Sequence, residues 1–298
     1  MAPQPPSFGS QKYWETRFAS NSQPFEWLEA PSALDTYLLE AFKTSGDKKP
    51  EILHIGCGTS LLSHHLCELV GDPERIHNID YSPIAIDIGK KREIEAHSTH
   101  TGQEPPGSPP KSPQPKYMRW SAIDLLDPNS LLEVCNEASY SVFVDKSTSD
   151  SISCADDVDI KLPYSINTSK SPIRSGLNVS PEAIHPLHIL AIHLAFLAKP
   201  KARWLALSYS LDRFPFLQPP LKASGTGSSR TDDLDDIPKN IIDNGLPDPA
   251  LLWKLIKTHE IEVPSEQPNQ PKISHLLYIL QRTDVPLFVI DQSIDNVI

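Results

Sequence analysis

Short apolar runs alternate along the chain with stretches in which apolar residues recur at every third or fourth position. Seven of the runs have the length and composition of β-strands, and helical periods separate several of them. The strand runs are 51–55, 76–80, 117–120, 140–145, 203–209, 255–263 and 275–281. Alternating strands and helices predict an α/β fold with a doubly wound, seven-stranded, mostly parallel sheet of the Rossmann-like kind.

The segments between strands predict which strands are connected by a helix and which by a turn. Leu62, Leu66 and Leu69 share one helical face, so the segment after the first strand is expected to pack one stripe on the sheet. Ser82 and Pro83 follow the second strand and have the character of an N-cap and a first helical residue. The last two strands are joined by the turn EQPNQP, which predicts an antiparallel hairpin at one edge of the sheet.

Three stretches have no apolar period and are rich in proline or small polar residues. They are 99–116, which contains six prolines, 155–180 and 219–248. The whole chain has 30 prolines among 298 residues, about twice the usual frequency. We therefore expect one domain over 1–298 with flexible surface insertions at these places. The tail from 285 to 298 contains Leu287, Val289 and Ile290, which indicate that it docks on the domain.

Net charge narrows the classes of partner. Lys and Arg number 27 and Asp and Glu 38, which gives a net charge of -11. Such a surface repels nucleic acid and anionic lipid headgroups, so we expect neither as a partner, and a basic protein fits better. No apolar run is long enough to cross a membrane. Four cysteines without a CxxC pair indicate reduced thiols in the cytoplasm and no zinc site.

The run ILHIGCGTSLLS carries the clearest chemical signal. A strand ends at Ile55, Gly56 and Gly58 allow a tight turn, and a helix opens near Ser60 with free N–H groups. Such a helix end attracts a phosphate or a carboxylate. The turn therefore indicates a site for a polar group of a ligand.

The surrounding residues limit the ligand. A dinucleotide turn has a third glycine where this chain has Leu61, and the GxxxxGK phosphate loop is absent. Asp80, 24 residues after Gly56, ends the second strand, where a carboxylate accepts hydrogen bonds from ribose hydroxyls. Turn and acid together indicate an adenosine group. The alternative is an ordinary strand-to-helix turn with a surface aspartate.

Several motifs resemble a known family. The runs HIGCGTS and NIDYS are similar to motif I and the acidic loop of class I S-adenosylmethionine-dependent methyltransferases. YWETRF, PFEWL, YMRWSAIDLL, VFVDKSTSD and HLLYILQR follow in the order seen in the methyltransferase-like lysine methyltransferases. That subfamily includes the enzyme encoded beside endothelin-converting enzyme and the dual enzyme acting on elongation factor 1-alpha. The resemblance covers the framework from about residue 12 to residue 282.

The resemblance implies S-adenosylmethionine as cofactor and assigns residues to it. Gly56 and Gly58 would pass under its methionine part, and Asp80 would hold the ribose. The remaining assignments are Tyr81 beside the adenine, Asp124 and Leu125 at the adenine edge, Lys146 at the methionine end, and Trp14, Phe18 and Trp27 in an amino-terminal lid.

The implied reaction is methylation of a lysine in a basic protein such as elongation factor 1-alpha. There are two alternatives, a small-molecule N- or O-methyltransferase and a catalytically silent binding protein. The second is considered because related proteins have the sequence KGTLD where this chain has KSTSD. By its position after the fourth strand, Asp145 is our candidate to orient the amine or receive its proton. It would otherwise cap the next segment. Tyr209 and Asp212 either line the acceptor channel or only end the fifth strand.

Overall fold

The computed structural model describes residues 6–100, 115–159, 162–166, 183–217, 242, 246–263 and 273–289. In these ranges it has nine strands, of which seven form one sheet in the order β3-β2-β1-β4-β6-β8-β7. The strands are β1 Ile52–Ile55, β2 Ile76–Asp80, β3 Arg119–Ala122, β4 Tyr140–Lys146, β5 Tyr164–Ser165, β6 Ala198–Ser208, β7 Trp253–Glu262, β8 Ser274–Arg282 and β9 Phe288–Val289.

The sheet has the predicted mixed topology. β3, β2, β1, β4 and β6 are parallel, whereas β8 runs antiparallel to β6 and β7 runs antiparallel to β8. The expected doubly wound sheet and its antiparallel edge hairpin are therefore confirmed. The largest shift of a boundary is in β6, which begins at Ala198, where Ala198 already pairs with Tyr140.

The helices cover both faces of the sheet. They are α1 Gln11–Ser20, α2 Asp35–Thr44, α3 Leu62–Val70, α4 Pro83–His100, α5 Pro128–Val134, α6 Thr148–Ile152, α7 Pro186–Leu197 and α8 Pro249–Leu252. Ile52 packs in one core with α2 and α3, whereas its neighbour Leu53 packs in the other core with α7. This alternation along β1 is expected for a strand that is buried on both sides.

Helix α7 lies wholly inside the molecule. All of its residues are buried, as is typical of a helix that is apolar all round. Its His193 donates a hydrogen bond from Nδ1 to the carbonyl oxygen of Leu125, at 2.7 Å. Burial lowers the pKa of His193 to about 4, so the ring is neutral near pH 7.

The order of the strands creates a crevice at one edge of the sheet. The chain leaves β1 toward β2 on one side and leaves β4 toward β6 on the other. Ligands of open α/β sheets bind at this kind of switch point, beyond the carboxyl ends of the strands. The glycine turn after β1 and the KSTSD segment after β4 therefore meet at the same place.

Part of the second expected insertion is not a surface loop. Leu162 is 7% exposed and Tyr164 is 1% exposed, and β5 pairs with β9 in the tail. Leu287, also buried, docks the tail as expected. The other stretches of the three expected insertions lie largely outside the described residues. Among the described helices, none has the length and apolar character needed to cross a membrane.

Candidate active site

A cavity of about 420 Å³ lies at the carboxyl ends of the strands, a size typical of small-ligand sites. All ten residues that the sequence analysis assigned to the cofactor line it. Asp145, the expected catalytic residue, does not line it. The structure thus brings the glycine turn, the acid after β2, the adenine-edge residues and the amino-terminal aromatic residues together.

The glycine turn has no room for a side chain at Gly56, whereas a Cβ at Gly58 would make only an ordinary contact. Gly56 has a φ of 54°, and a Cβ there would lie 2.2 Å from Oγ1 of Thr148, which donates to the carbonyl of Ile55 at 2.8 Å. Gly58 has a φ of 49°, and a Cβ there would lie 3.4 Å from the ring of Phe18. Two left-handed glycines therefore let the turn pack on the start of α6 on one side and face the lid on the other.

Asp80 stands beside this turn with both carboxylate oxygens engaged. The N–H of Gly58 donates to Oδ2 and the N–H of Ser82 donates to Oδ1, each at 2.9 Å. Burial raises the pKa of Asp80 to about 6, against the opposing effect of these two donors. Because each carboxylate oxygen has two lone pairs, both can accept one further hydrogen bond from a ligand hydroxyl.

This pKa predicts a pH dependence of ligand binding. Ribose hydroxyls donate to the ionised carboxylate, so protonation of Asp80 opposes binding. We expect the dissociation constant of S-adenosylhomocysteine, measured by calorimetry, to rise about tenfold between pH 7 and pH 5 and to stay level above pH 7.

The pH dependence of folding stability that arises from Asp80 has the opposite sign to that of ligand binding, and this difference gives the experiment a control. A carboxyl whose pKa is higher in the folded state than in the unfolded state binds more protons when folded. Between about pH 4 and pH 6, lowering the pH therefore adds stability through this group. The weaker binding should appear without a lower melting temperature from Asp80, and a flat binding profile would contradict the assignment.

The adenine-edge residues form the next part of the cavity. The Tyr81 carbonyl accepts from Nε2 of Gln11 at 2.9 Å, which ties this edge to α1. Asp124 is exposed, and its Oδ1 accepts from the N–H of Leu126 at 2.9 Å. Its other oxygen can therefore accept from an exocyclic amino group, as the resemblance implies. Leu125 beside it is 6% exposed and supplies apolar contact.

Aromatic rings of the amino-terminal segment form one wall. The Trp14 ring stacks on Phe18 at 5.8 Å between centroids and meets Trp27 edge to face at 5.9 Å. Phe8, which the sequence analysis missed, contacts both Trp14 and Trp27, and its carbonyl accepts from Nε1 of Trp14 at 2.7 Å. Phe8 lies in a proline-rich start of the chain that has no period to mark it.

Lys146 lines the cavity, but its ammonium is not free to bind a ligand. It donates to the Glu26 carboxylate and, at 3.1 Å each, to the carbonyls of Trp27 and Glu29. Burial lowers its pKa, although the Glu26 carboxylate opposes this effect. Glu26 was also missed, because its role depends on contacts with residues that are distant in the chain.

The structure gives Asp145 a different place from the expected one. It is fully buried, its Oδ1 accepts from the N–H groups of Thr148 and Ser149, and its Oδ2 accepts from Nε1 of Trp204 at 3.3 Å. Burial raises its pKa to about 7. The carboxylate therefore caps α6, the alternative stated above, and this geometry does not support contact with an acceptor.

Another acid, Asp150, lies in the cavity wall near the end of β6. Asp150, which lines the cavity, forms a 2.8 Å ion pair with Arg213, and its Oδ2 accepts from the N–H of Tyr209 at 3.3 Å. The Tyr209 ring also lines the cavity and is 56% exposed at its mouth. Tyr209 therefore lines the cavity, which is compatible with the acceptor channel, whereas Asp212, the other residue considered for it, is not in the lining.

This chain has KSTSD where related proteins have KGTLD, so Ser147 occupies the position of the glycine. The backbone at Ser147 keeps the left-handed conformation that glycine adopts easily. Ser147 has a φ of 67° and a ψ of 11°, in the left-handed region. Serine there costs about 1 to 2 kcal/mol relative to a right-handed residue. The KSTSD segment therefore keeps the turn that glycine favours, at an energetic cost.

These residues fit S-adenosylmethionine. The turn leaves space where a Cβ of Gly58 would stand, Asp80 keeps two acceptor positions, and the aromatic faces of Trp14 and Trp27 suit a sulfonium cation. The cofactor, when bound, supplies a methyl group activated by a positively charged sulfur.

Comparison with known proteins finds similarity to methyltransferases. The methyltransferase srdJ of Neurospora crassa is 35% identical over 181 residues, which are 60% of this chain and 68% of the relative. The N-methyltransferase NodS from Bradyrhizobium japonicum, solved with S-adenosyl-L-homocysteine, has a TM-score of 0.49 at 13% identity and covers 94% of this chain and 100% of its own.

A second solved structure is magnesium protoporphyrin IX methyltransferase from Synechocystis, with bound S-adenosylmethionine. Its TM-score is 0.43 at 11% identity, and the match covers 95% of this chain and 100% of that one. No family model matches the chain.

Proposed function

Because the chain belongs to the S-adenosylmethionine-dependent methyltransferases, we propose that it methylates a nitrogen or oxygen atom of a small, largely apolar molecule. The observation that carries this proposal is the apolar lining of the cavity. Phe8, Trp27, Ile152 and Tyr209 supply aromatic and aliphatic surface to it.

The carboxylates of the cavity support the same acceptor class. Among the described lining residues they are Asp80, Asp124 and Asp150. Asp80 accepts from two backbone amides, Asp124 lies at the adenine edge, and Asp150 is paired with Arg213. An ammonium group in this cavity would therefore lack a free carboxylate, which disfavours a cationic acceptor.

Charge outside the cavity favours a second acceptor, the lysine side chain of a basic protein such as elongation factor 1-alpha. The net charge of -11 attracts a basic partner. Asp156, Asp157 and Asp159 are exposed and directly follow Cys154 and Ala155, which line the cavity.

The residues of the chain contribute to the reaction by orienting the methyl donor and the acceptor and by excluding water from the cavity. Methyl transfer is an in-line displacement, in which a held geometry supplies up to about 7 to 11 kcal/mol of the barrier reduction. Phe8, Trp14 and Trp27 exclude water on one side of the cavity.

The only described histidine in the lining, His54, bonds through Nδ1 to Ser63 and Asn78. A neutral amine or an ionised oxygen acid, which needs no base, fits this lining.

Transfer of a labelled methyl group tests the proposal. The protein is incubated with methyl-tritiated S-adenosylmethionine and a cell extract separated by ultrafiltration into small molecules and macromolecules. We expect label in the small-molecule fraction, in a product extracted by organic solvent. The Asp80→Ala variant serves as the inactive control.

The other outcomes decide between the alternatives. Label in protein bands, and in purified elongation factor 1-alpha in a parallel reaction, would replace the first proposal with the second. Binding of S-adenosylhomocysteine by calorimetry without transfer to either fraction would indicate a silent binding protein.

A further inference from the structure

The segment 24–29, PFEWLE, which we term the cover segment, forms part of the cavity wall through Phe25, Trp27 and Leu28. It has no helix or strand of its own. Its place therefore depends on contacts with the body of the protein, and two charged residues supply most of them.

Lys146, the last residue of β4, donates all three hydrogens of its ammonium group to the cover segment. Its side chain is 3% exposed. The ammonium has three hydrogens, and its three acceptors are the Glu26 carboxylate and the carbonyls of Trp27 and Glu29. A buried lysine at the end of a central strand thus binds three residues of the cover segment, through one side chain and two backbone carbonyls.

Glu26 connects the same lysine to the glycine turn. Its Oε1 accepts from the N–H of Leu61 at 2.6 Å and its Oε2 from the Ser60 hydroxyl at 2.7 Å, at the amino end of α3. A carboxylate is favoured at such a helix end. One side chain therefore joins the cover segment, α3 and β4.

The conformation that these bonds hold is unfavourable in itself. Leu28 has a φ of 62°, in the left-handed region that side chains disfavour, and it lies between the two carbonyls that Lys146 binds. Among the described groups, the buried Nε1 of Trp27 has no hydrogen-bond partner. Such features persist only where surrounding contacts impose them.

We propose that Glu26 and Lys146 are positioning residues, whose ion pair keeps Trp27 and Leu28 in the cavity wall and so slows the release of the ligand. A held wall retains a ligand better than a loose one because less order must be gained on binding. The far end of the segment has its own anchor, since Glu29 pairs with Nδ1 of His275 at 2.8 Å. Loss of the pair should therefore loosen Trp27 and Leu28 without freeing the whole segment.

The experiment compares Lys146→Met, Glu26→Gln and the double variant. Glu26→Gln keeps the side-chain volume, which guards against a folding defect. We expect the dissociation rate of S-adenosylhomocysteine, followed by stopped-flow fluorescence, to rise roughly thirtyfold in each single variant. The double variant should release the ligand more slowly than the product of the two single effects predicts, because both changes break the same ion pair.

A matched control removes an ion pair elsewhere. Lys199→Met breaks the 2.6 Å pair between Lys199 and Asp47, which do not line the cavity. Its dissociation rate should stay within twofold of the unmodified protein. Hydrogen exchange in the variants of Glu26 and Lys146 should increase in residues 25–28 and stay unchanged in β1 and β4.

The inference rests on the cavity being the cofactor site, and the outcomes separate the two claims. If the unmodified protein does not bind S-adenosylhomocysteine, the proposed function fails. If it binds and the variants release it at the unmodified rate, only the positioning role fails. Faster exchange throughout the sheet in both single variants would also overturn that role, because the pair would then be a general folding contact.

Discussion

The Gly56→Ala variant is expected to lose about 2 to 5 kcal/mol of unfolding free energy and its binding of S-adenosylhomocysteine. A left-handed alanine costs about 1 to 2 kcal/mol, and forcing an added methyl into a packed site costs about 1 to 3 kcal/mol. The Cβ would lie 2.2 Å from Oγ1 of Thr148, which cannot retreat without losing its bond to Ile55. Urea unfolding and calorimetry measure the two effects.

Gly46 provides the matched control for this variant. It also has a positive φ, 76°, but no atom lies within 4 Å of the position a Cβ would take. Gly46→Ala should therefore carry the backbone cost alone, about 1 to 2 kcal/mol, and keep full ligand binding. Equal losses in the two variants would show that the contact with Thr148 does not shape the turn.

Asp80→Ala is expected to raise the dissociation constant of S-adenosylhomocysteine at least a hundredfold. Hydrogen bonds to a charged group contribute about 1.5 to 3 kcal/mol each, and the ribose would lose two of them. The N–H groups of Gly58 and Ser82 also lose their acceptor, which loosens the turn. Calorimetry at pH 7.5 measures the change.

The Asp80→Asn variant separates charge from shape. Its amide keeps the volume and one acceptor oxygen, so it should bind more tightly than the alanine variant and more weakly than the unmodified protein. The dependence of affinity on pH that Asp80 causes between pH 5 and pH 7 should be lost, because position 80 then has no carboxyl to titrate. An alanine variant that binds normally would remove Asp80 from the site.

The centre of the sheet was predictable because β1, β2 and β4 are buried along their whole length and have the composition of apolar runs. β2 has the predicted bounds, Ile76 to Asp80. β6 begins five residues earlier than predicted. The apolar pattern is interrupted by Lys199, Pro200 and Lys201, but the pairing with β4 already starts at Ala198. Tertiary pairing decided that boundary, and local sequence does not contain it.

The cavity residues were predictable where a motif fixes both residue type and position. Gly56, Gly58 and Asp80 follow from backbone and charge requirements of the turn. Asp145 was wrongly expected to face an acceptor because a strand's last residues alternate between faces, and sequence alone did not tell which carboxylate enters the cavity. Glu26 acts on residues 35 and 120 positions away, a relation that no local pattern reveals.

The bond from His193 to the Leu125 carbonyl links the adenine edge to a helix that contributes nothing to the cavity lining. Substitutions on that helix can then shift the backbone of Leu125 at the cavity wall, while each residue that lines the cavity stays the same. Sequence comparisons restricted to ligand-contacting positions would overlook such divergence.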